Sequence, residues 1–311
     1  MPTILVAGGA GYIGSILVPM LLQKGFKVVV LDKFIYNQTS LLDCISFGDA
    51  FTIIRGDARD ERLLKECLKK ADYIIPLAAI VGMNACDADQ HAARTTNLGA
   101  IQSLLQLRSR NQKIIFPNTN SGYGVGWQDI YCDEKTPLNP ISLYGQTKVE
   151  AEKMILDSGE AIAFRLATVF GVSPRMRLDL LVNQFVYEAF TKGYVVLFES
   201  HFKRNFVHVQ DVAKVFIHAI KNFDKMKNEV YNVGLSDANL SKKELCEEIK
   251  KQLPKFYFVE AEIGKDPDKR NYIVSNAKIE SAGFKASVSL QQGIAELIKG
   301  YEILKVNHFT N

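Results

Sequence analysis

A tyrosine that precedes a lysine by four residues on a helix places a phenol and an ammonium on the same face. The lysine charge then favours the phenolate and lowers the pKa of the tyrosine toward the range of a general base. The chain of 311 residues contains three such pairs, namely Tyr131/Lys135, Tyr144/Lys148 and Tyr301/Lys305. Because the chain has 12 tyrosines and many lysines, the spacing alone carries little weight.

The segments around the three pairs separate them. The first pair precedes a segment with two prolines, which keep it from forming a helix. The third pair lies near the end of the chain, far from any predicted strand end. Only Tyr144 and Lys148 begin a helix directly after a proline-containing loop and follow a small polar loop at the end of a strand. We therefore predict that Tyr144 and Lys148 are the catalytic pair.

The small polar loop has the sequence Asn-Thr-Asn-Ser-Gly-Tyr-Gly over residues 118–124. Its hydroxyl and amide groups could hold a hydroxyl against both a substrate oxygen and the predicted catalytic tyrosine. An ordinary polar turn is the alternative.

A glycine-rich segment follows the first apolar run of the chain. Gly8, Gly11 and Gly14 come directly after a predicted strand and open an apolar helix. This arrangement suits a tight turn and a close approach of the backbone to a pyrophosphate, with the anion at the helix N-terminus. We predict that Tyr12 and Ile13, within the same segment, also contact the cofactor.

The ends of the second and third predicted strands carry carboxylates. Asp32 is placed to bind a ribose diol, which favours NAD over NADP, although Lys27 and Lys33 nearby could weaken that preference. Asp57 and Ala58 are placed to meet the adenine. A turn in which Asp57 caps the following helix is the alternative.

The elements that must position these residues follow an α/β pattern. Short β-branched runs alternate with amphipathic stretches through the first 170 residues, which is typical of βαβ units around a parallel sheet. The predicted strands are residues 3–7, 27–31, 51–54, 73–77, 113–117 and 161–166, and the predicted helices are 12–24, 60–70 and 90–110. We therefore predict a Rossmann-type, doubly wound parallel sheet, with chemistry at the carboxyl ends of its strands.

The rhythm changes after residue 166. Residues 207–223 predict a strand running into a helix, 229–233 predict a further strand, and 288–306 predict a closing helix. We predict a nucleotide-binding lobe over 1–170, to which 207–234 returns. A smaller, interleaved substrate lobe is predicted over 171–206 and 235–311.

Composition and charge exclude several classes of protein. Apolar residues make up 47% of the chain, and the net charge of +4 includes no block of five like charges, which argues against nucleic acid as a partner. We expect no membrane span and no signal peptide, because no run of 18 apolar residues and no basic leader occurs. Five scattered cysteines without a CxxC predict free thiols in a reducing cytoplasm, and the five histidines predict no metal site.

Together these motifs resemble the extended short-chain dehydrogenase/reductases of the nucleotide-sugar epimerase/dehydratase family. The resemblance covers nearly the whole chain. The matching segments are Gly8/Gly11/Gly14, Asp32, Gly56-Asp57, Leu77-Ala78-Ala79, Asn97, the loop from Thr119 to Gly124, Tyr144/Lys148, Phe164-Arg165 and the run from Arg204 to Asp211. The resemblance implies tightly bound NAD, contacted also by Leu77, Ala78, Ala79 and Asn97, and a nucleoside diphosphate sugar in the cleft.

The resemblance also implies roles for single residues. Tyr144 takes the proton of a sugar hydroxyl, usually at C4, and Lys148 holds the nicotinamide ribose and lowers the pKa of the tyrosine. Thr119 matches the catalytic serine or threonine of the family. The predicted substrate contacts are Thr119, Asn120, Ser121, Arg175, Arg177, Asn183, Arg204 and Arg270. Arginine suits a diphosphate because its planar fork pairs with phosphate through two hydrogen bonds, and a solvated surface charge is the alternative for these arginines.

Departures from the family pattern narrow the predicted reaction. In related 4,6-dehydratases an Asp-Glu pair follows the threonine, whereas Asn120 and Ser121 cannot act as acid and base, so dehydration is disfavoured. A 4-epimerase or a 4-dehydrogenase remains. Residues 117–124 and 164–177 look most like bacterial enzymes that oxidise C4 of GDP-manno-heptose for capsule polysaccharide, which favours a GDP sugar.

A 4-dehydrogenase of this kind would need a second oxidant, such as a 2-oxo acid, to regenerate NAD. By resemblance we also expect a homodimer that pairs through helix 90–110 and the helix at Tyr144. A catalytically silent NAD-binding sensor is the alternative from another class of protein.

Overall fold

The computed structural model describes residues 1–126, 130–261, 263–264, 266 and 268–304. Lys305 and the end of the predicted closing helix at Val306 lie outside the described residues. The strands are β1 (Thr3–Ala7), β2 (Lys27–Asp32), β3 (Phe51–Arg55), β4 (Tyr73–Pro76), β5 (Lys113–Thr119), β6 (Tyr131–Cys132), β7 (Ala161–Leu166), β8 (Thr168–Phe170), β9 (Tyr194–Leu197), β10 (Lys203–His208), β11 (Glu229–Val233), β12 (Asn239–Ser241), β13 (Tyr257–Glu260) and β14 (Ile273–Val274).

The α-helices lie between and after these strands. They are α1 (Gly14–Gln23), α2 (Glu61–Leu68), α3 (Met83–Ala88), α4 (Gln90–Arg94), α5 (Ala100–Leu107), α6 (Leu143–Asp157), α7 (Leu181–Thr191), α8 (Val209–Lys221), α9 (Phe223–Met226), α10 (Lys242–Gln252), α11 (Ala277–Ser281) and α12 (Leu290–Ile303). Single turns of 3₁₀ type occur at Asn120–Tyr123, and a longer 3₁₀ segment spans Leu42–Ala50.

A seven-stranded sheet in the order β3-β2-β1-β4-β5-β7-β11 forms the centre of the molecule. All of its pairings are parallel. The strand order reverses direction between β1 and β4, and in sheets of this kind ligands bind at that switch point, beyond the carboxyl ends of the strands. The predicted Rossmann-type doubly wound fold is confirmed.

Both faces of the sheet are covered by helices, because its strands are apolar on both sides. On one face, Leu17 of α1 and Phe216 of α8 belong to a core cluster with Ile4 and Val30 of the strands. On the other face, Leu64 of α2 and further residues of α5 and α6 pack on the sheet. Strands 3–7, 161–166 and 229–233 begin and end at the predicted residues, and the other predicted strands differ by one or two residues at the end.

The predicted helix 90–110 contains an irregularity that the sequence did not indicate. It begins at Gln90, runs as an α-helix to Arg94, passes through a π turn at Thr95–Gly99 and continues as α5. It ends at Leu107, since Arg108 takes an extended conformation. The buried Asn97 lies in the π turn.

A second hydrophobic core lies beyond the sheet, where α7, α10 and α12 pack together. It contains Phe170, Phe206 and, on α12 itself, Leu297. Strand β10 pairs with β8 and β12 in a separate three-stranded sheet, whereas β11 joins β7 in the large sheet. The division of the chain into two lobes stays a prediction. Among the described residues no helix has the length and apolar character needed to cross a membrane. The five cysteines are buried free thiols.

Candidate active site

The crevice at the switch point is formed by the glycine segment after β1 and the turn after β4. Gly8 has a φ of +79°, and a Cβ at this position would lie 2.5 Å from the backbone nitrogen of Ala78. The amides of Leu77 and Ala78 both donate to the Ala7 carbonyl at 2.8 Å. A larger residue than glycine therefore has no room where the two segments meet.

The first turn of α1 points into this crevice. A Cβ at Gly14 would collide with the backbone of Gly9, so the helix and the loop pack as closely as backbones can. Ile13 occupies the N-cap position, where no side chain accepts a hydrogen bond from the first turn. The Ser15 and Ile16 amides donate to the backbone carbonyls of Gly11 and Ile13. A helix N-terminus that follows closely packed glycines is suited to an anion, so the segment fits the pyrophosphate of a dinucleotide.

Asp32 closes β2 beside this segment. Its carboxylate accepts hydrogen bonds from the amides of Ala10 at 2.9 Å and Phe34 at 2.8 Å. Lys33 forms an ion pair with Asp57 at 3.1 Å, so its charge is compensated away from Asp32. The Asp32 carboxylate thus lies at the end of β2, where a ribose diol would bind.

Asp57 is held by cations and does not cap a helix. Hydrogen bonds from Arg59 hold the pKa of Asp57 well below its usual range, against the effect of burial. Helix α2 is capped by Asp60, whose side chain accepts from the amides of Arg62 and Leu63. The alternative role of Asp57 as a cap is therefore wrong, and Ala58 packs at the margin of the core cluster under α2.

Two residues predicted to contact the cofactor, Asn97 and Tyr12, form hydrogen bonds to other segments of the protein. The Asn97 amide accepts from the Ile80 nitrogen at 2.8 Å and donates to the Ile80 oxygen at 2.9 Å, which fixes the chain just beyond Ala79. The buried Tyr12 side chain leaves the glycine segment, and its hydroxyl donates to the Gly171 carbonyl at 2.7 Å.

Tyr144 and Lys148 lie on the first two turns of α6, as predicted. Ser142 caps this helix by accepting from the Gly145 amide at 3.2 Å. The Thr119 side chain, at the end of β5, lies near enough to the Tyr144 hydroxyl to act on its pKa. The other two tyrosine–lysine pairs do not share this place: Tyr131 is exposed on a short strand, and the Tyr301 hydroxyl donates to a main-chain carbonyl in the second core.

The electrostatics of Tyr144 differ from the prediction. Burial raises the pKa of Tyr144 to about 12, and the charges of Arg177 and Arg270 oppose the rise, with a smaller effect from the Thr119 side chain. The predicted lowering of this pKa by Lys148 is wrong for this structure. The reason is that desolvation of the phenol outweighs the neighbouring charges.

Lys148 is itself altered by burial. Desolvation lowers the pKa of its ammonium to about 7, while the charge of Glu152 acts in the opposite direction. The ammonium nitrogen lies 3.9 Å from the centre of the Phe116 ring, in a cation–π contact. Lys148 is thus a buried cation whose proton is held only weakly.

The small polar loop contacts Arg270, and Asp268 links Arg270 to Arg204. Ser121 accepts hydrogen bonds from Thr119, at 3.0 Å, and from the guanidinium of Arg270. Asp268 binds Arg270 through both carboxylate oxygens and pairs with Arg204 at 3.2 Å. Although burial would raise the pKa of Asp268, these arginines hold it well below its usual value.

A second group of predicted substrate contacts lies on the segment after β8. Arg177 binds Asp179, with Nε 3.1 Å from Oδ1, and Arg175 stacks 4.0 Å from the Tyr36 ring. Asn183 is fully buried. Arg175, Arg177 and Arg204 are all buried, so the alternative of a solvated surface charge is wrong for these three.

Sequence reasoning missed a buried polar cluster beneath the site. Glu152 on α6 binds Arg165 on β7 at 2.7 Å and accepts from the Asn118 amide. Its position four residues after Lys148 was a visible signal, since both then share a helix face. Asn120, predicted to contact substrate, is buried with neither amide atom bonded to any described residue.

Comparisons with known proteins agree with this geometry. The model of the "NAD dependent epimerase/dehydratase family" matches residues 4–234. The chain is 28% identical over 309 residues to a putative UDP-glucose 4-epimerase of Methanocaldococcus jannaschii, covering 95% of this chain and 97% of that protein. It is 24% identical to the human dTDP-D-glucose 4,6-dehydratase, covering 96% of this chain and 89% of the relative.

A solved structure has the same fold along nearly the whole chain. It is the UDP-glucuronic acid 4-epimerase from Bacillus cereus in complex with UDP-glucuronic acid and NAD. The TM-score is 0.84 at 24% identity, covering 97% of this chain and 99% of the other. Because the family model matches most of the chain, the protein belongs to the NAD-dependent epimerase/dehydratase family, and NAD is its cofactor.

Proposed function

We propose that the protein oxidises the C4 hydroxyl of a nucleoside diphosphate sugar and returns the hydride to the opposite face, as a 4-epimerase. The observation that carries the proposal is the place of the buried Tyr144 hydroxyl next to Thr119 at the end of β5, at the same edge of the sheet as the glycine segment that fits a dinucleotide. In that place Tyr144 can accept the proton of a sugar hydroxyl, and the hydroxyl and amide groups of the small polar loop lie beside it.

In this proposal Tyr144 moves the proton. Its phenolate oxygen accepts the proton of the C4 hydroxyl as the carbonyl forms, and the phenol returns it when the carbonyl is reduced. NAD, when bound, supplies the acceptor of the C4 hydride, and its contacts would be the glycine segment, Asp32 and Lys148. The buried charges of Arg177 and Arg270 stabilise the phenolate against the effect of burial.

The names of the relatives support epimerisation and a pyrimidine nucleotide. The archaeal relative is named for UDP-glucose, and the bacterial structure holds UDP-glucuronic acid. The finer prediction of a GDP-manno-heptose 4-dehydrogenase, with a 2-oxo acid as second oxidant, is not supported by these names. It stays an outcome of the assay below. Pairing of two copies through helix 90–110 and the helix at Tyr144 stays a prediction.

The polar loop speaks against elimination of water, although one relative is a 4,6-dehydratase. Neither Asn120 nor Ser121 can transfer a proton as a carboxylic acid can. The Ser121 hydroxyl is in addition bonded to Thr119 and Arg270. The sugar C5 and C6 would therefore lack the acid and base that elimination requires.

The Tyr144→Phe variant tests the proposal. It removes one oxygen and keeps the ring, so we expect turnover to fall by ~10³-fold or more while NAD stays bound. The Tyr131→Phe variant is the matched control, because Tyr131 also precedes a lysine by four residues but is exposed on β6. Full activity in Tyr144→Phe would contradict the assignment.

The product distinguishes the reactions. The purified protein with NAD is incubated with UDP, dTDP and GDP sugars, and nicotinamide absorbance and product mass are recorded. We expect a UDP sugar to yield a product of unchanged mass and altered configuration. A product lighter by two hydrogens would indicate a dehydrogenase, and one lighter by a water would indicate a dehydratase. No change with any sugar would favour the NAD-binding sensor.

A further inference from the structure

The glycine segment and the arginine segment after β8 are joined by the side chain of Tyr12. The Tyr12 hydroxyl donates to the Gly171 carbonyl at 2.7 Å and accepts from the Asn183 amide at 3.2 Å. The same Asn183 side chain accepts from the Gly171 nitrogen at 3.0 Å and donates to the Arg177 carbonyl at 2.9 Å. Tyr12 thus holds both ends of the 171–177 segment, directly at Gly171 and through Asn183 at Arg177.

Two serines tie the middle of the segment to the same place. The Ser173 hydroxyl lies 2.8 Å from the Tyr12 carbonyl and 2.8 Å from the Ser15 hydroxyl. Ser15, Ser173 and Asn183 are each at most 3% exposed, so water does not compete for these bonds. The segment is therefore fixed to the first turn of α1 by buried hydrogen bonds at its start, middle and end.

One of the two joined segments serves the cofactor, and the other carries a charge that acts on the predicted catalytic tyrosine. The glycine segment fits the dinucleotide, whereas Arg177 is one of the charges that act on Tyr144. A movement of residues 171–177 relative to α1 would carry Arg177 away from the phenol. The hydrogen bonds from the glycine segment to residues 171–177 thus fix the position of Arg177 relative to the cofactor.

We propose that Tyr12 is a positioning residue: its hydroxyl holds the 171–177 segment, and with it Arg177, in place for the nucleotide sugar, without contributing to the affinity for NAD. This role differs from the cofactor contact expected from the sequence. The substrate part of the proposal rests on the proposed function, whereas the structural part depends only on the protein.

The Tyr12→Phe variant tests the structural part, because it removes the hydroxyl and keeps the ring in the core. Loss of this bond frees Asn183, so we expect the Gly171 amide, which Asn183 protects, to exchange with deuterium about tenfold faster in the NAD-loaded protein. Ser173→Ala, which cuts the other arm of the contact, should act in the same direction. The control is Tyr73→Phe, whose hydroxyl donates to the Ile220 carbonyl at 3.3 Å, remote from this segment.

Kinetics test the substrate part. With a sugar that the wild type turns over, Tyr12→Phe should raise KM about tenfold and change the Kd for NAD less than twofold. With Arg177 less fixed, the phenol pKa rises, so the acid limb of the kcat profile should shift to higher pH. A merely structural role would not move that limb.

Three outcomes overturn the proposal. Unchanged exchange at Gly171 would show that the hydroxyl does not hold the segment. A loss of NAD affinity equal to the rise in KM would make Tyr12 a cofactor contact. An unshifted pH profile alongside faster exchange would separate the segment from Tyr144. If the wild type acts on no nucleotide sugar, the proposed function fails, and the exchange measurement still decides the structural part.

Discussion

Lys148 and Arg165 are two buried cations near one carboxylate, and the structure provides for them in opposite ways. Glu152 binds the Arg165 guanidinium through both of its oxygens, and with this partner the pKa of Arg165 lies above its usual value in spite of burial. Lys148, one turn before Glu152 on the same helix, rests on an aromatic ring, and burial lowers its pKa to about 7.

The difference in their partners assigns Arg165 to the stability of the fold and Lys148 to the proposed reaction. A buried, hydrogen-bonded ion pair joins α6 to β7, and Arg165 also donates to the Tyr123 hydroxyl, so the Arg165 charge stabilises the fold. A buried ammonium without a bonded carboxylate costs stability, and such costs are concentrated at functional sites. We therefore infer that Lys148 is the cation that takes part in the proposed reaction.

Replacing Lys148 should give the largest effect. In Lys148→Met we expect turnover to fall by ~10²–10⁴-fold, because the bound NAD would lose the contact that the proposed function gives to Lys148. The melting temperature should rise, because a buried charge is removed. Lys153→Met, on the exposed face of the same helix, is the control for both measurements. A fall in melting temperature together with full activity would reverse the roles assigned to the two cations.

Removing the carboxylate should act on stability. Glu152→Gln leaves Arg165 charged and buried without its partner, so we expect the free energy of unfolding to fall by ~3–5 kcal/mol in urea titrations. Glu150→Gln, at an exposed position of α6, should stay near the wild type. A loss below ~1 kcal/mol for Glu152→Gln would mean that the pair contributes no more than a surface pair.

Replacing both partners should recover part of that loss. In Glu152→Met with Arg165→Met no buried charge is left unpaired, so a double-mutant cycle should give a coupling energy of ~2 kcal/mol. Additive single effects would indicate that the guanidinium and the carboxylate are solvated independently.

The last difference between the two cations is in the pH dependence of stability. The folded state holds the Lys148 proton with a pKa of about 7, against an ordinary value of 10.5, so between these values the unfolded state binds more protons. The free energy of unfolding should therefore gain a rise with pH across this window and none below it. Subtracting the Lys148→Met curve from the wild-type curve isolates this rise. Arg165 stays charged in both states and adds nothing there.

Features that depend on local sequence were predictable. The glycine segment with Asp32, and a helix that begins near Tyr144 after the proline-containing loop, follow from signals within a few residues. The choice of Tyr144 among three tyrosine–lysine pairs followed from the prolines before it. The π turn that carries Asn97 has no comparable local signal.

Contacts between distant segments were not predictable from the sequence. Tyr12 and Gly171 are separated by 159 residues, so the pattern around Tyr12 indicated only the nearby pyrophosphate. The pKa of Tyr144 was predicted with the wrong sign, because the sequence shows which charges are near but not how much water is excluded. That Glu152 binds Arg165 depends on how α6 lies against β7.

The π turn at Thr95–Gly99 amounts to one extra residue inserted into an otherwise continuous helix. Because each residue of an α-helix advances the side-chain direction by about 100°, the turns on its two sides are out of phase. Deleting a single residue there would restore an unbroken helix and rotate α4 against α5. A relative that lacks one residue in this helix would therefore present a different side chain to the Ile80 backbone in place of the Asn97 amide.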